Sequence, residues 1–69
     1  MATEELRVKG MHCASCGILI DEALEDLPGV ASSSTNVRRR RTRVEFDPAA
    51  TDRAAIAEAI AALGYTVDL

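Results

Sequence analysis

The fold of this chain is indicated first by residues 4–16, which read EELRVKGMHCASC. Apolar and charged residues alternate over positions 4–9, a pattern that predicts a half-buried strand. Gly10 ends that strand, and an apolar stripe at helical spacing begins at Cys16. The two cysteines of the chain, Cys13 and Cys16, are therefore predicted to lie where a strand gives way to a helix.

The rest of the chain shows the same two kinds of pattern, and the apolar stripe of the second predicted helix contains Ile56, Ala59, Ile60 and Leu63. The predicted elements are a strand at 4–9, a helix at 15–27, strands at 30–36 and 41–46, a helix capped by Thr51 or Asp52 that runs to 63, and a strand at 65–69. With right-handed crossovers, this order predicts an α+β fold, a ferredoxin-like βαββαβ sandwich. Its four-stranded antiparallel sheet should carry both helices on one face.

Length and composition narrow the class of protein. The chain of 69 residues, 48% hydrophobic and 28% charged, is expected to form a single domain over 1–69. Its only aromatic residues are Phe46 and Tyr65, so the core should be aliphatic. The acidic start lacks the apolar run of a secretory signal, which predicts a cytoplasmic protein. In that reducing compartment a CxxC pair indicates metal binding or redox chemistry rather than a structural disulfide.

The predicted topology brings three loops to one end of the sheet. If the first strand runs upward, the cysteine loop, the four arginines at 38–41 and the junction before Tyr65 all lie at the top. Five of the eight basic residues fall between 38 and 43, although the net charge of the chain is −3. The molecule should therefore have a basic region close to the cysteines.

A cysteine pair at a helix N-terminus has a definite chemistry. Unpaired backbone N–H groups and the positive end of the helix dipole favour thiolate over thiol. Two thiolates at an exposed corner, with few other ligands, suit a soft ion such as Cu(I). A dithiol oxidoreductase and half of a structural zinc site are the alternatives. Zinc favours four ligands, and only His12 could join the cysteines.

The cysteine loop belongs to a longer pattern. Its residues 10–16, GMHCASC, resemble the GMxCxxC signature of the heavy-metal-associated domain, found in copper chaperones and metal-transporting P-type ATPases. Further segments that resemble the family at its usual spacing are LPGV at 27–30, Asn36, VEFDP at 44–48 and LGY at 63–65. The resemblance covers nearly the whole chain.

The resemblance implies roles for the loop residues. Cys13 and Cys16 would bind Cu(I) in a near-linear arrangement, and Met11 would pack under the loop without binding metal. Tyr65 would lie close to the metal, as a core aromatic that can also tune the thiolates. Family members that handle zinc, cadmium or lead often carry Asp where this chain has His12, which argues against that subgroup. His12 is either an accessory ligand, which could reach across a metal-bridged homodimer, or an exposed loop residue.

The function implied is that of a soluble copper chaperone, not an enzyme. It would pass Cu(I) by ligand exchange to a copper-transporting P-type ATPase. An N-terminal regulatory domain of such an ATPase and a mercury-binding relative share the motif and stay open as alternatives. Neither nucleic acid nor direct membrane insertion is expected, because the domain is acidic, lacks stacking aromatics and has no apolar run long enough to span a bilayer.

Three features depart from the family pattern or stand outside it. Ser33 and Thr35 occupy positions that are usually apolar, which predicts a softer second strand. The arginines at 38–41 form either a solvated turn or a basic rim that steers an acidic partner. Leu19 falls outside the apolar stripe of the first helix, so it is either a docking contact or an ordinary exposed leucine.

Overall fold

The computed structural model describes residues 1–11 and 14–68. Its elements are β1 (Ala2–Lys9), α1 (Ala14–Glu25), β2 (Val30–Asn36), β3 (Arg41–Phe46), α2 (Arg53–Ala62) and β4 (Thr66–Asp68). The predicted order of elements is confirmed. The predicted start of β4 at Tyr65 is one residue early, and its predicted end at Leu69 lies outside the described residues.

The four strands form one antiparallel sheet in the order β2-β3-β1-β4. The buried side chains of β1 and β3 and those of both helices make one cluster, so both helices cover the same face of the sheet. That cluster contains Leu6, Val8, Ile20, Leu24, Val44, Phe46, Ile56 and Ile60. This is the predicted ferredoxin-like sandwich with an aliphatic core. Each such buried side chain contributes roughly 1.5–3 kcal/mol relative to an exposed one.

The second strand spans its predicted residues; Val30 packs against the core, and polar contacts join the strand to α1. Asp21 of α1 accepts hydrogen bonds from the Ser33 hydroxyl at 2.7 Å and from the Thr35 hydroxyl at 2.7 Å. The Thr35 backbone N–H also donates to Asp21 at 3.2 Å. The Thr35 hydroxyl lies 3.0 Å from that of the fully buried Thr42. The two residues that depart from the family pattern therefore join α1 to the sheet.

The helix ends follow local signals. Asp52 caps α2 by accepting a hydrogen bond from the Ala55 N–H at 2.8 Å. Gly64 follows the helix at φ +98°, the left-handed conformation expected after a C-terminus. The first helix ends at Glu25, two residues before its predicted end, and Leu27 leaves the helix but still packs against the core. Among the described residues no helix is both long and apolar enough to cross a membrane.

Candidate metal centre

The motif loop connects β1 to α1 at one end of the sheet. Gly10 adopts φ +94°, a backbone conformation that favours glycine, and so turns the chain away from the strand. Met11 is half-buried and packs against the hydrophobic core, in the place expected of a residue under the loop. Cys13, a predicted ligand, and His12, either an accessory ligand or an exposed loop residue, lie outside the described residues, so their roles stay predictions.

Cys16 is the third residue of α1 and lies in its first turn. The first four N–H groups of a helix lack partners within the helix, and the dipole adds partial positive charge there. The side chain is only 7% exposed, because Cys16 continues the core-facing stripe of Ile20 and Leu24. The expectation of two open thiols is therefore not met at this residue. Cys16 is disulfide-bonded in this structure, so the sulfur has to be reduced before it can bind metal.

Tyr65 lies beside the start of the motif loop. The pairing of Lys9 with Thr66 places Tyr65 next to Gly10, and a Cβ at Gly10 would lie 3.8 Å from Tyr65 Cδ1. The ring is partly buried and also packs against the core. Tyr65 therefore combines a core position with proximity to the loop, as the resemblance implied, while its influence on the sulfurs stays a prediction.

The arginine turn contacts both β1 and the first turn of α1. The Val8 N–H donates to the Arg40 carbonyl at 2.8 Å, which fixes the turn to the end of β1. A Cβ on Gly17 would lie 3.0 Å from Val37 Cγ2, so any larger residue at this position would force the Val37 side chain to shift. The prediction that the cysteine loop, the arginines and Tyr65 meet at one end is confirmed for the described residues. The contact of Gly17 with the turn was not predicted, although a glycine inside a predicted helix is a visible signal.

Apolar side chains are exposed on the helices near this end. Ile18 is 60% exposed and Leu19 51% exposed, which confirms that Leu19 lies outside the core. Leu63 was expected on the apolar stripe of α2, and this prediction is wrong, since Leu63 is 42% exposed. It caps α2 at the C-terminus, where the chain turns toward β4 and leaves the helix face.

The described residues do not offer a second metal site. Within positions 1–11 and 14–68, no group of three or more His, Cys, Asp or Glu side chains is placed to hold a metal ion.

Residues 5–66 match the heavy-metal-associated domain family. The chain belongs to this family. The chain is similar to a zinc-transporting ATPase of Synechocystis, with 43% identity over 97% of this chain and 9% of that protein. It is also similar to a copper-exporting P-type ATPase of Bacillus subtilis, with 42% identity over 90% of this chain and 8% of that protein.

The solved structures extend the comparison to whole small proteins. A CopZ metallochaperone superimposes with a TM-score of 0.93 at 30% identity, over 97% of this chain and 100% of that one. The chain thus spans less than a tenth of the two ATPases but the full length of the metallochaperone. It is a heavy-metal-associated domain of the type found in chaperones and in ATPase metal-binding regions, and the matches to ATPases are confined to that small domain.

Proposed function

We propose that this chain is a cytoplasmic copper chaperone. It holds Cu(I) between the thiolates of Cys13 and Cys16 and passes the ion to a copper-transporting P-type ATPase. The observation that carries the proposal is the position of Cys16, in the first turn of α1 inside the family motif. The similarity to the CopZ metallochaperone, with a TM-score of 0.93, supports a chaperone role.

The proposed transfer is a ligand exchange. A thiolate of the partner attacks the two-coordinate ion, a three-coordinate bridge forms, and one sulfur of this chain then leaves. Low coordination keeps a position open for the incoming thiolate. A buried thiolate at Cys16 is costly alone because charge is poorly solvated there, and the bound cation offsets that cost. The cytoplasm supplies the reducing conditions that keep both sulfurs available.

Two alternatives have support of their own. The 42% identity to a copper-exporting ATPase favours a metal-binding domain of such a pump, with the same site. The 43% identity to a zinc-transporting ATPase favours Zn(II) as the ion, for which His12 could serve as an additional ligand. A mercury-binding relative and a metal-bridged homodimer stay predictions.

The test is metal titration of the reduced protein without oxygen. Cu(I), Zn(II) and Hg(II) are each titrated against a competing chelator, and native mass spectrometry gives the number of ions and chains. Losing only a hydrogen-bond partner of a ligand costs about 10- to 100-fold in metal affinity, so Cys13→Ser and Cys16→Ser should each cost more than about 100-fold for Cu(I). Circular dichroism should show that both variants keep the fold.

The matched control is Met11→Leu, which removes a neighbouring sulfur that packs against the core. Full Cu(I) affinity is expected in this variant. Unchanged affinity in Cys13→Ser would refute the proposed site. If the protein binds Zn(II) more tightly than Cu(I), and His12→Ala lowers the Zn(II) affinity, the ion of the proposed site is zinc and not copper. One ion shared by two chains would establish the metal-bridged dimer.

A further inference from the structure

The face of the sheet opposite the helices carries a basic patch. We define this patch by five exposed cations on alternating strand positions and the adjoining turn: Arg7, Lys9, Arg39, Arg41 and Arg43. Three of these arginines line a shallow depression of about 650 Å³ together with Glu5, Ser34 and Asn36. A second depression, of about 250 Å³, shares Arg39 and Arg41 and extends to Arg7 and Lys9. The patch is therefore continuous.

The positive charge of the basic patch is only partly balanced. Arg41 pairs with Glu5 at 2.9 Å, and Lys9 lies 4.0 Å from Asp68. Within the described positions, Arg7, Arg39 and Arg43 form no ion pair. Arg7 also lies directly opposite Arg41 in the β1–β3 register. Like charges in that position destabilise a sheet. Asp68 lies opposite Arg7 on β4 and Glu5 lies opposite Arg43, so a bound anion would relieve the part of the repulsion that these two acids leave.

The turn holds the edge of the patch in a defined position. The Arg39 N–H donates to Asn36 Oδ1 at 3.1 Å, and the Arg40 N–H donates to the Val37 carbonyl at 3.2 Å. Because its amide oxygen is used in this way, Asn36 keeps its NH₂ group as a donor. Donors on a fixed turn and on strands lose less conformational entropy on binding than donors on a mobile loop.

The spacing of the patch indicates the shape of its ligand. Arg41 and Arg43 are two residues apart on β3, and Arg7 and Lys9 are two apart on β1. Such side chains repeat at roughly 6.6 Å, which is also the repeat of every second side chain in an extended peptide. Guanidinium groups bind carboxylates through paired hydrogen bonds. We propose that the basic patch binds an extended acidic segment of another polypeptide, whose alternate carboxylates face the arginines.

Other polyanions fit this surface less well. The two aromatic residues of the chain are Phe46, which is buried, and Tyr65, which packs against the core, so nucleic-acid bases have no stacking platform on the patch. The net charge of −3 repels long polyanions and anionic membranes beyond the local patch. The inference goes beyond metal transfer, since it concerns a surface on the sheet and requires no bound ion.

The test is an amide NMR titration of the reduced, metal-free protein at low ionic strength. The probe is an eight-residue peptide of alternating Glu and Ser. Shifts are expected in β1, β3 and the turn, with binding that weakens as salt is added. Arg39→Ser and Arg43→Thr should each weaken binding about three-fold, within the range for one exposed ion pair. Arg38→Ser is the matched control: it removes the same charge from the same turn but lines neither depression.

The comparison probes are pyrophosphate, a single-stranded oligonucleotide and vesicles with anionic lipid, at equal charge concentration. Tighter binding of any of these than of the peptide would overturn the proposal. So would absence of peptide binding, or equal losses in Arg38→Ser and Arg39→Ser. Cu(I) affinity, measured separately, should be unchanged in Arg43→Thr, so failure of the docking surface and failure of the metal site would be told apart.

Discussion

Gly17 of α1 lies against Val37, which directly precedes the four arginines of the turn. Its missing side chain leaves room for Val37, whose Cγ2 would lie 3.0 Å from an added Cβ. Glycine inside a helix costs about 1 kcal/mol relative to alanine. Its lack of a side chain lets α1 approach both Val37 and Thr35 of β2, whose Cγ2 would lie 3.3 Å from an added Cβ.

We therefore expect Gly17→Ala to lower the free energy of unfolding by about 1 kcal/mol. Overpacking costs about 1–3 kcal/mol, and the helix-propensity gain offsets part of it. In a Val37→Ala background the crowding is relieved, and the same substitution should stabilise the protein. Urea denaturation of the wild type, the two single variants and the double variant measures the coupling between the two sites. Equal stabilisation in both backgrounds would contradict the crowding argument.

At the scale of elements, α1 is attached to β2 by Asp21. Its carboxylate accepts hydrogen bonds from Ser33 and Thr35, and the Thr35 hydroxyl is in turn hydrogen-bonded to the hydroxyl of the buried Thr42. Ser33 and Thr35, from which a softer strand was predicted, thus donate their hydroxyl hydrogen bonds to a carboxylate of the helix. This contact holds the helix that carries Cys16 against the sheet.

Asp21→Ala should lower the free energy of unfolding by about 2 kcal/mol. Each hydrogen bond contributes about 1 kcal/mol and this carboxylate accepts three, but the site is only half-buried, so water replaces part of that contribution in the variant. Glu22→Ala, on the exposed neighbouring position, is the control and should change stability by less than about 0.5 kcal/mol. Chemical denaturation compares the two, and equal losses would mean that the network does not stabilise the fold.

For the whole molecule, metal binding and folding should be linked. An ion that binds the folded chain stabilises it by about 2.7 kcal/mol when its free concentration is 100 times Kd. For a domain of this size that corresponds to a rise in Tm of roughly 10–20 °C. Reduced wild type should show this rise on addition of Cu(I), and Cys16→Ser should lose most of it. Thermal unfolding followed by circular dichroism measures both; a rise of equal size in the variant would show that the ion binds elsewhere.

Local sequence patterns were sufficient to predict the helices and strands and their order along the chain. Alternation predicted β1 and β3, and Asp52 and Gly64 marked the ends of α2 because their preferences act over a few residues. Topology rules then placed the arginines and Tyr65 beside the loop. The exposure of Leu63 was missed, because periodicity does not show where a helix leaves the core.

The amino-acid sequence alone determined the ferredoxin-like order of elements, the aliphatic core and membership of a metal-binding family, since these depend on short-range periodicity and on a contiguous motif. Only the tertiary structure decided the partners of Asp21, the close approach at Gly17 and the alignment of Arg7 opposite Arg41. These contacts join residues far apart in the chain. Their geometry depends on strand register and helix packing, which no local pattern encodes.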